Sequence, residues 1–374
     1  MKQTAMPLST SEADIFFALL RHALWNEPLV PEQWGKTWSW NAIFYAVEMH
    51  ALQSLLTNSI LSLPKEYQPD GAVQNRFMQL MALNMREHSR LNADIVSFFT
   101  LLQQHGFHPV LMKGQSLAPY YKNPFFRKCG DVDVYVGSEN YDAVCDFLKH
   151  QYPQAVFEKA TDKHQEMKWK ETEYEIHCYS ELLFYPQDDK AYQKLMQEAV
   201  RNLSFVKIAE TEIPVFPIQI LPVYLLSHLW NHFKTGGVGF RQFADLAMCL
   251  HNISDSLDRE KLQKDLKDVK LWDEWLLCGA LMVQRLGLPA SEFPFYEKMN
   301  DQKLDNFVSV IMEDGNFASG RDYGKEKKYW RKKFRSLCIH INRYACLLKI
   351  SVPLSFKLLL ANLMMGVKRL RKGV

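Results

Sequence analysis

Hydrophobic residues change their spacing twice along this chain, and the change limits the possible folds more than any other sequence feature. The first part repeats apolar residues at helical spacing, from a capping box predicted at Ser9 and Glu12 to a helix end predicted at Gly106. Short strand-like segments follow, and helical spacing then returns. With 374 residues, 47% of them hydrophobic, the chain can bury more than one core. We predict three regions, over residues 1–105, 106–216 and 217–374.

The middle region is predicted to be a mixed α/β domain, because its short segments have the composition and alternation of strands. The strands are predicted over residues 109–112, 131–136, 155–159, 166–170, 173–179, 205–208 and 213–216, with a helix over 141–150. The fold class is therefore α+β, with a mixed-sheet domain flanked by N- and C-terminal helical regions.

Two carboxylates alternate with valines in the segment Gly-Asp-Val-Asp-Val-Tyr-Val, which begins at Gly130. Every second side chain of a strand points to the same face, so Asp131 and Asp133 are predicted to lie side by side, about 6 to 7 Å apart. Their repulsion is about 2 to 3 kcal/mol at an effective dielectric near 20. A bound Mg²⁺ would offset it, because Mg²⁺ takes carboxylate and phosphate oxygens. The alternative is a strand whose polar face is open to solvent.

A glycine turn precedes this strand in the sequence Lys113-Gly114-Gln115-Ser116. It follows an apolar strand, and a short helical pattern begins at Ser116, so backbone N–H groups there could bind an anion. Arg127 lies four residues before Asp131 and could supply a fork of donors to a phosphate. Pairing of Arg127 with one of the aspartates is the alternative.

A third carboxylate is predicted on a later strand. In the sequence Glu-Tyr-Glu-Ile-His, the alternation puts Glu173, Glu175 and His177 on one face. Glu175 could bridge a metal or accept a proton from an attacking hydroxyl. A strand with a solvent-facing polar row would have the same sequence pattern.

These motifs, K-G-x-x-L, R-x-x-G-D-V-D-V-Y-V and E-I-H in that order, resemble the nucleotidyltransferase superfamily related to DNA polymerase beta. The likeness is closer to its little-characterised bacterial branch and covers roughly residues 107–216. It implies that Asp131, Asp133 and Glu175 are metal ligands and catalytic residues. It also implies a phosphate-binding group of Lys113, Gly114, Gln115, Ser116, Arg127 and Gly130. The chain departs from the usual Gly-Ser pair, and its third acid is Glu instead of Asp.

The reaction that the resemblance implies uses two Mg²⁺ ions and a nucleoside triphosphate, ATP among the candidates. A nucleoside monophosphate would pass to a hydroxyl acceptor, either a small molecule, an RNA or a protein, with release of pyrophosphate. The alternative is a catalytically silent module that keeps the fold in order to bind a nucleotide or a partner. The presence of Glu175 at the third acid position, where Asp is commoner, motivates this alternative.

Two further pairs on later helices are candidates for the lining of the cleft. His228 and His232 are four residues apart on an apolar helix, which permits a metal pair, although a structural or substrate-lining role is the favoured interpretation. Arg241 and Asp245 have the same spacing and could face the cleft beside His177. A surface ion pair is the simpler interpretation of that spacing.

Charge and cysteine content add weaker predictions. The net charge of +3 marks no general nucleic-acid binder, but residues 325–335, from Lys325 to Arg335, interleave seven basic residues with three aromatic ones. This segment could contact RNA or an anionic membrane surface, or form a solvated helix face. The seven cysteines contain no CxxC pair, and no secretory signal or spanning segment is predicted. We expect a cytoplasmic protein with reduced cysteines, peripheral to a membrane if the basic segment binds one.

Overall fold

The computed structural model describes residues 8–35, 37–235, 237–316, 344–345, 347–353, 355–357 and 359–360. The fold is α+β, with a seven-stranded mixed sheet that has helices before and after it in the chain. The helices are α1 (Thr10–Trp25), α2 (Trp40–Met49), α3 (Gln53–Leu61), α4 (Gly71–Gln104), α5 (Tyr141–Gln151), α6 (Pro186–Ala199), α7 (Leu221–Thr235), α8 (Phe240–Ile253), α9 (Arg259–Asp268), α10 (Trp272–Gln284) and α11 (Asp301–Asp314). The strands are β1 (Val110–Leu111), β2 (Val132–Tyr135), β3 (Val156–Phe157), β4 (His164–Trp169), β5 (Thr172–His177), β6 (Ser204–Ile208) and β7 (Thr211–Val215).

The sheet has the order β3-β4-β5-β2-β1-β7-β6. Strand β2 lies near its centre, parallel to β5 and antiparallel to β1, while β1 is parallel to β7. The remaining neighbours are antiparallel hairpins. Because β2 and β5 are parallel neighbours, side chains at matching register positions on the two strands lie beside each other on the same face of the sheet.

Two hydrophobic cores meet at the sheet. One lies on the face where α4 and α5 pack and contains Val132, Val134 and Ile176. The other contains helices from both ends of the chain, with Phe16 of α1, Phe240 of α8 and other residues in one continuous cluster. Helix α4 belongs to both cores, since its early residues join the helical cluster and its later ones pack under the sheet. The N- and C-terminal helical regions therefore share a core.

Local signals placed the ends of the first helices correctly. Ser9 and Glu12 form the capping box of α1, and Glu12 Oε2 accepts hydrogen bonds from both the backbone and the hydroxyl of Ser9. Helix α4 ends just before Gly106, whose φ of +80° lies in the left-handed region that glycine tolerates.

Every predicted strand has a counterpart in the sheet, with ends that shift by up to two residues. Helix α6 was missed by the sequence analysis. Its first turn carries Asp188 and Asp189 and gives no apolar start signal. The helical spacing of its later apolar residues was the signal that could have found it: Tyr192, Leu195, Met196 and Ala199. The helix predicted from Ser116 is instead a pair of short 3₁₀ turns, Gly114–Ser116 and Ala118–Tyr120.

Some predictions concern parts of the chain outside the described residues. The basic segment 325–335 lies there, as do Cys338 and Cys346. The cysteines that are described are buried and free: Cys129, Cys145, Cys178, Cys249 and Cys278. Within the described ranges, no helix is both long enough and apolar enough to cross a membrane.

Candidate active site

Parallel pairing of β2 with β5 brings the predicted acids together. Asp133 lies opposite Glu175 in the register, while Val134 lies opposite Ile176 on the face that packs into the core. Asp131 immediately precedes β2. One oxygen from each carboxylate of Asp131, Asp133 and Glu175 lies within 4.8 Å of the others. The three acids therefore form one cluster, the acidic cluster, beside the sheet.

Exposure differs strongly among the three acids. The side chain of Asp133 is 1% exposed, that of Glu175 22% and that of Asp131 35%. The cluster is thus most open to solvent at Asp131 and closed at Asp133.

Lys113 provides a positive charge within the cluster. Its Nζ lies 3.0 Å from Asp133 Oδ1 and 3.7 Å from Asp131 Oδ2. Burial works to lower the pKa of Lys113, but the charges of Asp133, Asp131 and Glu175 outweigh it and raise that pKa above its usual range. Lys113 was expected to contact phosphate, and the structure places its ammonium between two carboxylates.

His177 is the second cation of the cluster. Its Nε2 lies 3.1 Å from Asp133 Oδ1 and 3.0 Å from Glu175 Oε2, and its Nδ1 lies 3.3 Å from the carbonyl oxygen of Tyr179. Both ring nitrogens face acceptors, which favours the imidazolium. Burial lowers the pKa of His177, yet the hydrogen bonds to the two carboxylates raise it overall.

The same contacts act on the acids in the opposite direction. Burial raises the pKa of Glu175, but the hydrogen bond from His177 and the charge of Lys113 lower it to about 2. In Asp133, burial is likewise outweighed by Lys113 and His177, and the pKa is lowered. Three carboxylates face two cations, so the cluster keeps an excess of negative charge.

The acidic cluster fits a hard divalent cation. Asp133 Oδ2 is buried and has no hydrogen-bond partner among the described residues. Such an atom is costly to bury unless it binds something. Mg²⁺ binds oxygen ligands at about 2.1 Å in an octahedron, which separates neighbouring oxygens by about 3.0 Å and opposite ones by about 4.2 Å. The three carboxylate oxygens lie within 4.8 Å of one another, an upper limit close to this range.

The glycine turn packs against the start of the acidic segment. Gly114 has φ of +68°, and a Cβ there would lie 3.6 Å from the carbonyl oxygen of Asp131. The Ser116 hydroxyl donates to the carbonyl of Met112 at 2.6 Å, so its only proton is already used. Gln115 is buried, and its Nε2 has no partner within the described part of the chain.

Gly130 differs from Gly114. Its backbone needs no positive φ, and a Cβ there would meet nothing within 4 Å. The space beside Gly130 is therefore open, next to the exposed side of Asp131.

Comparison with known families bears on this arrangement. Residues 37–287, about two thirds of the chain, match the family described as uncharacterised nucleotidyltransferases. The chain belongs to this family. Membership supports a nucleotidyl transfer activity in general and confirms the family predicted from the motifs of the middle region.

Other comparisons are less informative. No curated protein matches the chain in a sequence comparison. Among solved structures, it is similar to an antigenic nucleotidyltransferase-like protein from Paracoccidioides brasiliensis, with 14% identity and a TM-score of 0.36. That match covers 56% of this chain and 94% of the other. Nothing about the reaction follows from so distant a likeness.

The structure pairs Arg127 of this nucleotidyltransferase with a buried carboxylate. Its guanidinium is 3% exposed and forms a bidentate pair with Asp245 of α8, at 2.7 Å for both Nε–Oδ1 and Nη2–Oδ2. Tyr121 also donates to Asp245 Oδ1 at 2.7 Å. The expected phosphate contact, and the alternative of pairing with Asp131 or Asp133, therefore both differ from what is found.

Arg241 and Asp245 do not pair with each other as expected from their spacing. Arg241 Nη1 donates to the carbonyl of Lys128 at 2.8 Å, and Asp245 is buried and engaged by Arg127. The surface ion pair proposed for these two residues is thus replaced by two contacts to the segment that leads into β2. Helix α8 holds that segment in place.

His228 and His232 lie on one face of α7. Their rings are 4.4 Å apart, and His228 Nδ1 lies 3.2 Å from Glu181 Oε2. Burial, with the charge of Lys113 as a further cause, lowers the pKa of His228. A cavity of about 240 Å³ is lined in part by Lys163, Glu181 and His232. Polar and basic side chains therefore border this cavity, and none of them belongs to the acidic cluster.

Sequence analysis missed His164, although it lies beside the acidic cluster. His164 opposes His177 in the β4–β5 hairpin, and its Nδ1 lies 3.9 Å from Glu175 Oε2. The strand was predicted to begin only at residue 166, so His164 fell outside it. The polar alternation of His164, Glu166 and Lys168 was the signal that could have found it.

Proposed function

We propose that this protein is a Mg²⁺-dependent nucleotidyltransferase that transfers a nucleoside monophosphate from a nucleoside triphosphate to a hydroxyl acceptor. The observation that carries the proposal is the convergence of Asp131, Asp133 and Glu175, with the buried Oδ2 of Asp133 lacking any partner among the described residues. Family membership supports the general reaction, and the oxygen-only donor set favours Mg²⁺.

In the proposed reaction the acceptor hydroxyl oxygen forms a bond to the α-phosphorus. The bond from that phosphorus to the bridging oxygen breaks, and pyrophosphate leaves. Bound Mg²⁺ ions would promote loss of the hydroxyl proton and neutralise charge on the phosphates. Asp131 and Asp133 would hold the ions, and Glu175 would complete their ligands. His177 would orient Asp133 and Glu175 through the hydrogen bonds that it makes to both.

Lys113 would change partners when the substrate binds. Its ammonium now neutralises Asp131 and Asp133. Divalent cations at these carboxylates would repel it, and the nearest new anions would be the substrate's phosphates. The open space at Gly130 and the polar cavity near His232 would accommodate the substrates.

The test measures thermal stabilisation by each of the four nucleoside triphosphates with Mg²⁺, since a ligand that binds the native state raises its stability. At least one triphosphate should stabilise the protein, only when Mg²⁺ is present. Asp133→Asn should abolish the effect, whereas Asp146→Asn, on an exposed residue of α5, should leave it unchanged. Equal stabilisation of the wild type and Asp133→Asn would refute the metal assignment, and so would no stabilisation at all.

Turnover is measured as pyrophosphate release with separate acceptor pools of small molecules, RNA and protein. Asp133→Asn should reduce the rate about 1,000-fold, since a metal-bound transition state loses several kcal/mol of stabilisation.

A catalytically silent nucleotide-binding module is the second candidate function. Lys113 and His177 already neutralise much of the cluster, which is the observation that favours it. Binding of Mg²⁺-nucleotide without pyrophosphate release, with any acceptor pool, would support this second function over the first.

A further inference from the structure

A second group of possible metal ligands shares Glu175 with the acidic cluster. His164 of β4 and His177 of β5 face each other in the hairpin register, and Glu175 lies two residues before His177 on the same face. Glu175 Oε2 lies 3.0 Å from His177 Nε2 and 3.9 Å from His164 Nδ1. One ligand atom from each of the three residues lies within 4.8 Å of the others.

The nitrogen of His164 that faces Glu175 has no hydrogen-bond partner. His164 Nδ1 is buried and unpaired among the described residues, while Nε2 lies 3.3 Å from the carboxylate of Glu166. Because a carboxylate accepts, Glu166 fixes the proton on Nε2 and leaves a lone pair on Nδ1. A lone pair aimed at a carboxylate oxygen is unfavourable unless a cation lies between them.

His177, like His164, has a hydrogen-bond acceptor beside the ring nitrogen that would not bind the metal. His177 Nδ1 lies 3.3 Å from the carbonyl oxygen of Tyr179, so Nδ1 is the donor to the backbone and Nε2 points toward Glu175. Histidines that bind metal nearly always donate their other ring nitrogen to a carboxylate or a carbonyl. Both histidines of this group have that arrangement, one with each kind of acceptor.

The donor set determines the class of ion. Two imidazole nitrogens and one carboxylate oxygen suit Zn²⁺ and other divalent transition metals, whereas Mg²⁺ and Ca²⁺ prefer oxygen alone. A tetrahedral ion with ligands at about 2.1 Å separates them by about 3.4 Å. The two measured separations, 3.0 and 3.9 Å, lie on either side of that value.

We propose that His164, Glu175 and His177 form a binding site for a divalent transition metal, next to the Mg²⁺ site and joined to it by Glu175. A metal ion at this site takes the place of the proton that His177 Nε2 shares with Glu175. This histidine site shares Glu175 and His177 with the proposed function but does not require that nucleotidyl transfer take place.

The experiment titrates Co²⁺ into the metal-free full-length protein and follows the visible absorption of the bound ion. The wild type should bind Co²⁺, and Zn²⁺ should displace it. His164→Ala should weaken Co²⁺ binding at least about 10-fold, and Glu166→Ala, which removes the acceptor that orients His164, should weaken it by about 10-fold or more. Glu166 is half-exposed, so its substitution leaves folding intact if His164→Ala does not fold.

Two controls locate the bound ion. His150→Ala removes an exposed histidine of α5 and should leave Co²⁺ binding unchanged. Asp131→Asn damages the acidic cluster without touching the histidine site and should retain Co²⁺. The proposal is overturned if the wild type binds no Co²⁺, if Glu166→Ala binds it as tightly as the wild type, or if Asp131→Asn alone abolishes binding.

These readouts separate the histidine site from the proposed function. Co²⁺ binding that depends on His164, in a protein that no nucleotide stabilises, would establish the site and refute the transferase. Nucleotide binding that depends on Asp133, together with Co²⁺ binding that is unchanged by substitution of Glu166, would support the proposed function and refute the histidine site.

Discussion

Two buried charge clusters, each with a residue from the segment that leads into β2, differ in how completely their carboxylates are satisfied. In the first, both oxygens of Asp245 accept from Arg127 at 2.7 Å, and the charges balance. In the second, three carboxylates face Lys113 and His177, and Asp133 Oδ2 has no partner among the described residues. Both carboxylate oxygens of the first cluster are satisfied, whereas the second keeps an unsatisfied one within the described part of the chain.

The difference separates a structural ion pair from a candidate site. A balanced bidentate pair fixes α8 against the segment that leads into β2, and any ligand would have to compete with a good partner. An unbalanced group of acids gains free energy from a bound cation. Arg127 and Asp131 look equally suited to a phosphate or metal site in sequence, and burial and partners distinguish them.

The largest expected effect comes from breaking the balanced pair. Asp245→Ala should lower the free energy of unfolding by about 3–5 kcal/mol, because it leaves the charge of Arg127 buried without a partner. Urea unfolding measures the change. Asp305→Ala, which breaks an exposed pair with Arg285, is the control and should cost about 1 kcal/mol or less.

A double substitution checks the cause of that loss. Adding Arg127→Met to Asp245→Ala should recover part of the stability, because the unpaired charge is gone. Equal losses for Asp245→Ala and Asp305→Ala would contradict the structural role of the balanced pair.

The acidic cluster should make the free energy of unfolding depend on pH in the acidic range. The pKa of Glu175 falls from 4.5 to about 2, since the His177 hydrogen bond and Lys113 outweigh burial. Ionised Glu175 therefore stabilises the fold above pH 4.5, and this contribution, on the order of 3 kcal/mol, is lost as the pH falls toward 2. Glu175→Gln should flatten the acid limb of the free energy of unfolding, measured with a chelator present.

A neighbour on the same strand is the control for this pH dependence. Glu173 is 66% exposed and pairs with Lys168 on the surface, so Glu173→Gln should leave the acid limb unchanged. His177 acts at the other end of the pH range. Its raised pKa means that its contribution is present below 6.5 and lost as the pH rises through the folded-state value. An acid limb that is equally steep in Glu175→Gln would count against the coupling of these groups.

The smallest expected effect comes from removing the Lys113 ammonium from the acidic cluster. Lys113→Met should lower stability in chelator by about 1–3 kcal/mol, because Asp133 loses a charged donor. Mg²⁺ should restore more stability to this variant than to the wild type, since the ion no longer competes with the ammonium. Thermal unfolding with and without Mg²⁺ measures both effects.

An exposed lysine of the same sheet provides the comparison. Lys168→Met breaks a surface pair with Glu173 and should change neither the stability in chelator nor the response to Mg²⁺. A response of Lys113→Met that equals that of Lys168→Met would show that Lys113 does not occupy the cation position.

Much of the site could be read from short stretches of sequence. The alternation of β2 predicted the buried Val132 and Val134 and the opposite face of Asp133, and the alternation of β5 placed Glu175 and His177 together. These predictions succeed because the two-residue period of a strand depends only on neighbouring residues.

The partners of these residues could not be read in the same way. The spacing of Arg127 suggested a phosphate or a nearby aspartate, while its partner Asp245 belongs to a helix much later in the chain. His164 was missed because the predicted strand started too late, and its position beside Glu175 depends on the hairpin register. Lys113 faces the acids only because β1 pairs with β2.

The sequence by itself determined which side chains share a face, where α1 and α4 begin or end, and to which family the motifs belong. Only the tertiary structure decided which charges are satisfied. Register between strands and packing of α8 against the segment that leads into β2 are set by contacts between residues far apart in the chain. Those contacts make Arg127 a buried structural group and leave Asp133 with an oxygen that has no partner among the described residues.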